Sequence, residues 1–274
     1  MFYHKKELQY HSKPERPDPI MARKLQEILG GQWGEMSVMN MYLFQGWNAR
    51  GDDKYKDLVL DIGTEEIGHV EMIATMIARL LDDAPVNVQE EAFKSDPAVA
   101  AIMGGMDPQH AIVSGLGATP RDSNGVPWSG AYITASGNLL ADMRLNLTAE
   151  SQGRLQVSRL YHMTEDKGVK EMLSLLLARD TYHQNIWAYL IKELEDKNGF
   201  IVPANMKQFE VTDLNHIHYS FSKGEESKSI MDGKTAPDGE PFEYRSEPEA
   251  FAEKPELNPA PPHMHATKDA TKNK

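Results

Sequence analysis

Between Asp61 and Ala74 the sequence carries a helical stripe with polar residues where core residues belong. At 3.6 residues per turn, Ile62, Glu66, His69, Ile73, Met76, Ile77 and Leu80 share one face, so a carboxylate and an imidazole interrupt an aliphatic stripe. The polar pair points into the core. A Glu and a His three residues apart are neighbours on a helix and can reach one point, as two ligands of one metal ion must. One such pair is a weak signal: with ten histidines in 274 residues a chance acid-x-x-His is unsurprising, and a surface pair or a hydrogen-bonded core histidine explains it. The constraint becomes severe when other helices repeat the pattern.

They do. Periodicity predicts helix A from Ile20 to about Trp47, with Ile28, Gln32, Glu35, Met39, Tyr42 and Gly46 on its core face and Gly30-Gly31 a place to kink. Helix B covers about Lys54 to Leu81. Helix C covers about Tyr132 to Met163, with the stripe Leu140, Met143, Leu147, Glu150, Arg154, Val157 and Tyr161. Helix D runs from about Asp166 to Lys197, where Asp180 and His183 replace hydrophobes in the stripe Val169, Leu173, Leu176, Trp187, Leu190 and Leu194. Residues 1–19, with Pro14, Pro17 and Pro19, read as an extended arm. Residues 82–130 hold too many Pro and Gly for a long helix, and a connection of that length has to cross the molecule. That predicts an all-α, ferritin-like four-helix bundle over residues 20–198, with a long crossover between helices B and C. Residues 199–274 are polar and Pro-rich, an extended tail that wraps other subunits or stays mobile.

Composition narrows the function. A net charge of −12 argues against nucleic acid and anionic membranes as partners. No apolar run approaches the roughly 18 residues of a membrane span, and the first residues lack a signal-peptide core, so a cytoplasmic protein is expected. The absence of Cys rules out disulfides, thiolate ligands and iron–sulfur clusters. The 15 Met have to be packed away from any peroxide chemistry.

Glu35, Glu66, Glu150 and Asp180 each sit mid-stripe on a different helix, and His69 and His183 follow two of them at ligand spacing. That is the inventory of a dinuclear carboxylate site in a bundle core. Buried carboxylates repel and cost several kcal/mol each unless cations lie among them; oxygen ligands with imidazoles suit manganese or iron. Asp180, a methylene shorter than Glu, is a poor second bridge and a better orienter of His183 or of bound solvent. This leaves Glu35 and His69 on one metal, Glu150 and His183 on the other, and Glu66 between them. Tyr42 is either a hydrogen-bond partner of Glu35 or an ordinary packed aromatic; Arg154 either balances the negative site and guides a small polar substrate or makes a helix-surface salt bridge. Asp107-Pro108-Gln109-His110 and Asp213-Leu214-Asn215-His216 share the letters but not the helical context, and are not read as ligands. His263-Met264-His265 reads as part of a solvated end.

At these residues the chain resembles the manganese catalases. Met1-Phe2-Tyr3-His4-Lys5-Lys6-Glu7, Gly30-Gly31-Gln32-Trp33-Gly34-Glu35, Glu65-Glu66-Ile67-Gly68-His69-Val70-Glu71-Met72, Ala149-Glu150-Ser151-Gln152-Gly153-Arg154 and Ala178-Arg179-Asp180-Thr181-Tyr182-His183-Gln184 carry the likeness, which extends through about Ser227. The resemblance implies two manganese ions, disproportionation of hydrogen peroxide to water and dioxygen, and a homohexamer. It implies the same ligands, Glu35, Glu66, His69, Glu150 and His183, with Glu66, Asp180, Arg154 and Tyr42 in catalytic roles. Some members carry an Arg before the helix C ligand and a Glu opening the helix D pair, where this chain has Ala149 and Asp180; Arg154 or Arg179 is the candidate substitute. Some bind calcium, and Asp57, Asp61, Ser220, Ser222 and Gly224 match those positions. Two other classes share the inventory. A di-iron oxidase or peroxidase is disfavoured by Asp180 and by the lack of Cys for a rubredoxin-type donor; a metal-storage shell or spore-coat structural protein would use the bundle only as scaffold.

Overall fold

The structure is a computed structural model and describes residues 3–83, 105, 107–221, 229–246 and 252–267. Two compact units divide the chain, Met1–Val202 and Pro203–Lys274.

In the first unit, α1 (Pro19–Gly30) starts where the Asp18 carboxylate accepts from the Met21 amide at 2.9 Å and Pro19 fills the first turn. Periodicity predicts one helix over 20–47; the structure has two. Gly30, Gly31 and Gly34 crowd the junction. A Cβ on Gly30 would lie 2.4 Å from the Arg121 carbonyl oxygen, so the crossover backbone occupies the place of a side chain. The second helix, α2 (Glu35–Asn48), therefore begins at Glu35, whose carboxylate faces the favourable end of the helix dipole. α3 (Asp53–Leu81) is capped by Asp52.

Residues 84–104 of the expected crossover lie outside the described residues. Its later part includes a short helix, α4 (Pro108–Ile112), in which Pro108 sits in the first turn, where its missing N–H costs nothing. Gln26 of α1 clips this part in place. Its buried amide donates to the carbonyls of Thr119 (2.7 Å) and Arg121 (2.8 Å), and its oxygen accepts from the Thr119 amide (3.0 Å) and faces His110 Nε2 (3.1 Å). α5 (Leu139–Tyr161) begins later than periodicity predicts, because Gly137 takes a φ of +79° and Asn138 caps the Ala141 amide. α6 (Lys167–Asn198) ends at Gly199, with φ +85°.

α2 packs along α3, and α5 along α6. Their buried apolar residues form two clusters. One contains Met72, Ile73, Met76, Leu173 and Leu176, the other Val38, Met41, Tyr42, Ile62, Met143 and Trp187. Along α3 and α6 the residues between the clusters are Glu66, His69, Asp180 and His183, so a polar layer lies between two apolar ones. The arm is ordered: Ser12 Oγ donates to the Met72 carbonyl (2.7 Å), Arg79 to the Ser12 carbonyl (2.6 Å) and the Asp18 amide to the Leu80 carbonyl (2.8 Å).

The second unit holds 3-10 turns at Ala204–Phe209 and Thr212–Leu214 and a short helix, α7 (Pro262–His265), on which His263 and His265 are exposed. It also holds a parallel pair, β1 (Ile217–Ser220) with β2 (Glu243–Ser246), Ile217 opposite Glu243. Four-residue, half-exposed strands leave no alternation to read in a sequence. Among the described residues of this unit Ala236 is the one buried hydrophobic. Among the described residues no helix is long and apolar enough to cross a membrane.

Gln26→Leu keeps the bulk but strands an amide, two carbonyls and an imidazole, at about 1–3 kcal/mol for each buried polar group left unpaired. Urea unfolding of the metal-free protein should show a loss of at least about 3 kcal/mol. A loss under about 1 kcal/mol would mean that Gln26 does not hold the crossover.

Candidate metal centre

Four helices deliver one polar group or pair each to the layer between the apolar clusters. Glu35 is 8% exposed, Glu66 1%, Glu150 4% and Asp180 5%, and His69 and His183 are fully buried. Glu35, Glu66 and His69 bring ligand atoms together within 4.8 Å, as do Glu66, Glu150 and His183. Glu66 belongs to both groups. Its Oε2 lies 2.5 Å from His69 Nδ1 and its Oε1 2.9 Å from His183 Nδ1, while Glu35 Oε2 is 3.7 Å from His69 Nδ1 and Glu150 Oε1 3.4 Å from His183 Nδ1. The two imidazole centroids are 6.0 Å apart.

These atoms lie at ion-pair distance, but not in hydrogen-bond geometry. Neither Glu66 oxygen nor either inward Nδ1 has a hydrogen-bond partner among the described residues, and neither does Asp180 Oδ2. Buried polar atoms are nearly always satisfied, so a converging set of orphans is a ligand-shaped anomaly, and its oxygen and nitrogen donors fit a pair of hard divalent cations.

The electrostatics follow from burial. Desolvation, reinforced by Glu66, pushes Glu35 well above the usual carboxyl range, and desolvation also raises Glu150. Desolvation with the Glu150 and Glu66 charges lifts Asp180 to about 8. Burial alone would raise Glu66 as well, but His69 and His183 hold it well below. Burial opposes a charge on the imidazoles; contacts with Glu150, Glu65 and Glu66 nevertheless raise His183 to about 12, and Glu66 raises His69. Without metal, the layer balances itself with protons.

Tyr42 does not meet Glu35. Its hydroxyl donates to Glu150 Oε1 at 2.6 Å, because Tyr42 lies two turns along α2 from Glu35 and its ring reaches across to α5. Trp187, read from the sequence only as core, meets Tyr42 at a tilt of 55° with ring centroids 5.0 Å apart and places Nε1 3.5 Å from the same oxygen. Arg154 donates from its guanidinium to the Leu177 carbonyl. Ala149 is fully buried in an apolar cluster. Asp57 and Asp61 are exposed one turn apart on α3, Ser220 lies in β1 of the second unit, and Ser222 and Gly224 fall outside the described residues.

One residue had no role in the sequence reading. Glu65 Oε2 is 3.2 Å from His183 Nε2, and its Oε1 is 3.6 Å from His69 Nε2, so one carboxylate faces the outer nitrogens of both rings. Arg179 grips it through two contacts, Nε to Oε1 at 2.5 Å and Nη2 to Oε2 at 3.1 Å. The two histidines therefore point Nδ1 inward and Nε2 at Glu65; Asp180, proposed for that task, makes no hydrogen bond to His183. A carboxylate on the outer nitrogen fixes a ligand ring's tautomer and tilt. The usable signal was spacing: Glu65 precedes His69, and Arg179 precedes His183, by one turn.

The chain matches the family model for manganese-containing catalases over residues 1–274. It is 63% identical over 269 residues to a manganese catalase of Bacillus subtilis, covering 97% of this chain and 98% of that one. It is 53% identical to a manganese catalase of Lactiplantibacillus plantarum, again over 97% and 98% of the two chains. A crystal structure of a manganese catalase from Anabaena superposes with a TM-score of 0.68 at 26% identity, covering 90% of this chain and all of that one. With a full-length match, close relatives and a bundle whose core gathers paired carboxylate–histidine groups, the chain belongs to the manganese-containing catalase family.

Proposed function

We propose that the protein disproportionates hydrogen peroxide to water and dioxygen at two manganese ions in the bundle core. Glu35, Glu66 and His69 would hold one ion, and Glu66, Glu150 and His183 the other. The observation that carries this reading is Glu66 itself, whose two buried oxygens each face a different histidine without a hydrogen bond. When bound, the ions take up and return the two electrons that separate peroxide from water and from dioxygen, which no side chain does without being consumed.

The protein's own groups do the rest. Tyr42, whose hydroxyl is held protonated by burial and by the Glu150 and Glu66 charges, fixes the Glu150 carboxylate through its donated hydrogen bond. Asp180 Oδ2, buried and without a hydrogen-bond partner among the described residues, is the candidate to relay the two protons that the peroxide being oxidised gives up and the peroxide being reduced takes up. The apolar layers above and below exclude bulk water, which strengthens the remaining charges. We further infer a homohexamer, as the resemblance implies; assembly would also cover Phe44 and Trp47, exposed by 43% and 57% and in edge-to-face contact on α2.

Metal analysis and an oxygen electrode, applied to one sample, test the reaction. Two manganese ions per chain and peroxide-dependent oxygen release are expected, with Glu66→Ala and His69→Ala abolishing release; full activity in either variant, or iron without release, would sink the reading. Tyr42→Phe should keep the metal and lose roughly tenfold in rate. Metal and protons compete for the same atoms, since ligation needs ionised carboxylates and neutral imidazoles. Because His69, His183, Glu35 and Glu150 titrate above their ordinary values in the metal-free protein, manganese binding should release protons near neutral pH and weaken as pH falls. An indicator dye measures the first, and titrations at pH 6 and pH 8 the second, a range on the order of the ordinary histidine value. Light scattering should give the mass of six chains, and a monomer would rule out the hexamer.

A further inference from the structure

Gln9 lies on the N-terminal arm, far in sequence from every residue of the metal centre. Its side-chain amide nevertheless donates to Glu65 Oε1 at 3.1 Å. That carboxylate lies 3.2 Å from His183 Nε2, whereas its 3.6 Å separation from His69 Nε2 is too long for a hydrogen bond, so its orientation bears first on His183. Arg179 grips it from α6; Gln9 reaches it from the arm. Space is reserved for that reach at Gly68, where an added Cβ would lie 2.8 Å from Gln9 Oε1. Packing does not force the contact, since a cavity of about 650 Å³ between the arm and α3 has both Gln9 and Glu65 in its lining.

We propose that Gln9 is a positioning residue for the metal centre: it steadies the Glu65 carboxylate and thereby keeps Nδ1 of His183 aimed inward at the ligand site. The inference rests on the two-manganese reading above. The arm's course does not depend on this contact. His4 meets Glu71 at 2.9 Å on one side of it, and Ser12 is tied to Met72 and Arg79 on the other. Removing the Gln9 amide therefore removes one hydrogen bond and leaves the arm in place.

The test is the rate at which manganese is lost to excess chelator from loaded wild type, Gln9→Met, Gln9→Lys and Gly68→Ala, with melting curves of the metal-free proteins alongside. Gln9→Met, of similar length without a donor, should lose metal roughly three- to tenfold faster, at or below the low end of effects for groups that touch a ligand directly. Gln9→Lys restores a donor and should restore wild-type retention. Gly68→Ala should also lose metal faster by displacing the amide, yet its metal-free melting temperature should not fall, because Ala is favoured over Gly in a helix by about 1 kcal/mol. General destabilisation would not produce that pairing. Wild-type loss rates in both Gln9→Met and Gly68→Ala would overturn the role of Gln9 while leaving the centre standing. A wild type that holds no manganese would overturn the centre and this inference with it.

Discussion

Desolvation of a single polar layer sets the terms for this structure. Glu35, Glu66, Glu150, Asp180, His69 and His183 are all at least nine-tenths buried, between two clusters of aliphatic, methionine and aromatic side chains. A lone carboxylate in such a place protonates rather than stay charged. Here the burial cost is distributed: some carboxyls take protons, the imidazoles take others, and Glu66 stays ionised between two cationic rings. That arrangement is tolerable without metal and more favourable with it, since a cation satisfies at once the oxygens and nitrogens that no protein hydrogen bond reaches.

The same layer explains features that look unrelated. The break between α1 and α2 puts Glu35 in the first turn of a helix, so that its side chain enters the polar layer. Glu65 and Arg179 form an ion pair whose value lies less in stability than in orientation, because its carboxylate faces both histidine rings from outside. Tyr42 and Trp187 do the equivalent for Glu150 on the other side. His183 and Glu150 are thus held by partners from other elements, Glu65 of α3 for the first and Tyr42 of α2 with Trp187 of α6 for the second.

Why the bundle was readable from the chain is a matter of period. Long helices repeat their buried face often enough that a charged residue inside the stripe stands out, which is how Glu66, His69, Glu150, Asp180 and His183 were found. What lay off the stripe was missed. Glu65 sits beside Glu66 and reads as surface until the fold brings α6 and the arm against it. Tyr42 was paired with Glu35 because both share one face of a presumed continuous helix, whereas a tyrosine reaches sideways across a helix interface. The junction at Gly30 depended on the crossover backbone at Arg121, a contact between residues remote in sequence. The strand pair in the second unit is too short for any local signal. Local periodicity therefore carried the elements and the ligands, and tertiary contacts decided how those ligands are held.

Tight packing around the centre serves chemistry as well as stability. Met41, Met72, Met76, Met143 and Met172 are fully buried, and Met72 lies on α3 one turn past His69. Oxidation of any of them would place a polar sulfoxide in an apolar layer and open the core. A protein that consumes peroxide beside such residues needs walls that admit the substrate only at the polar layer. Close packing meets that need, because a core without gaps offers a small polar molecule neither space nor a hydrogen-bond partner. The converging oxygens and nitrogens of the central layer offer hydrogen-bonding partners that the aliphatic and methionine layers lack.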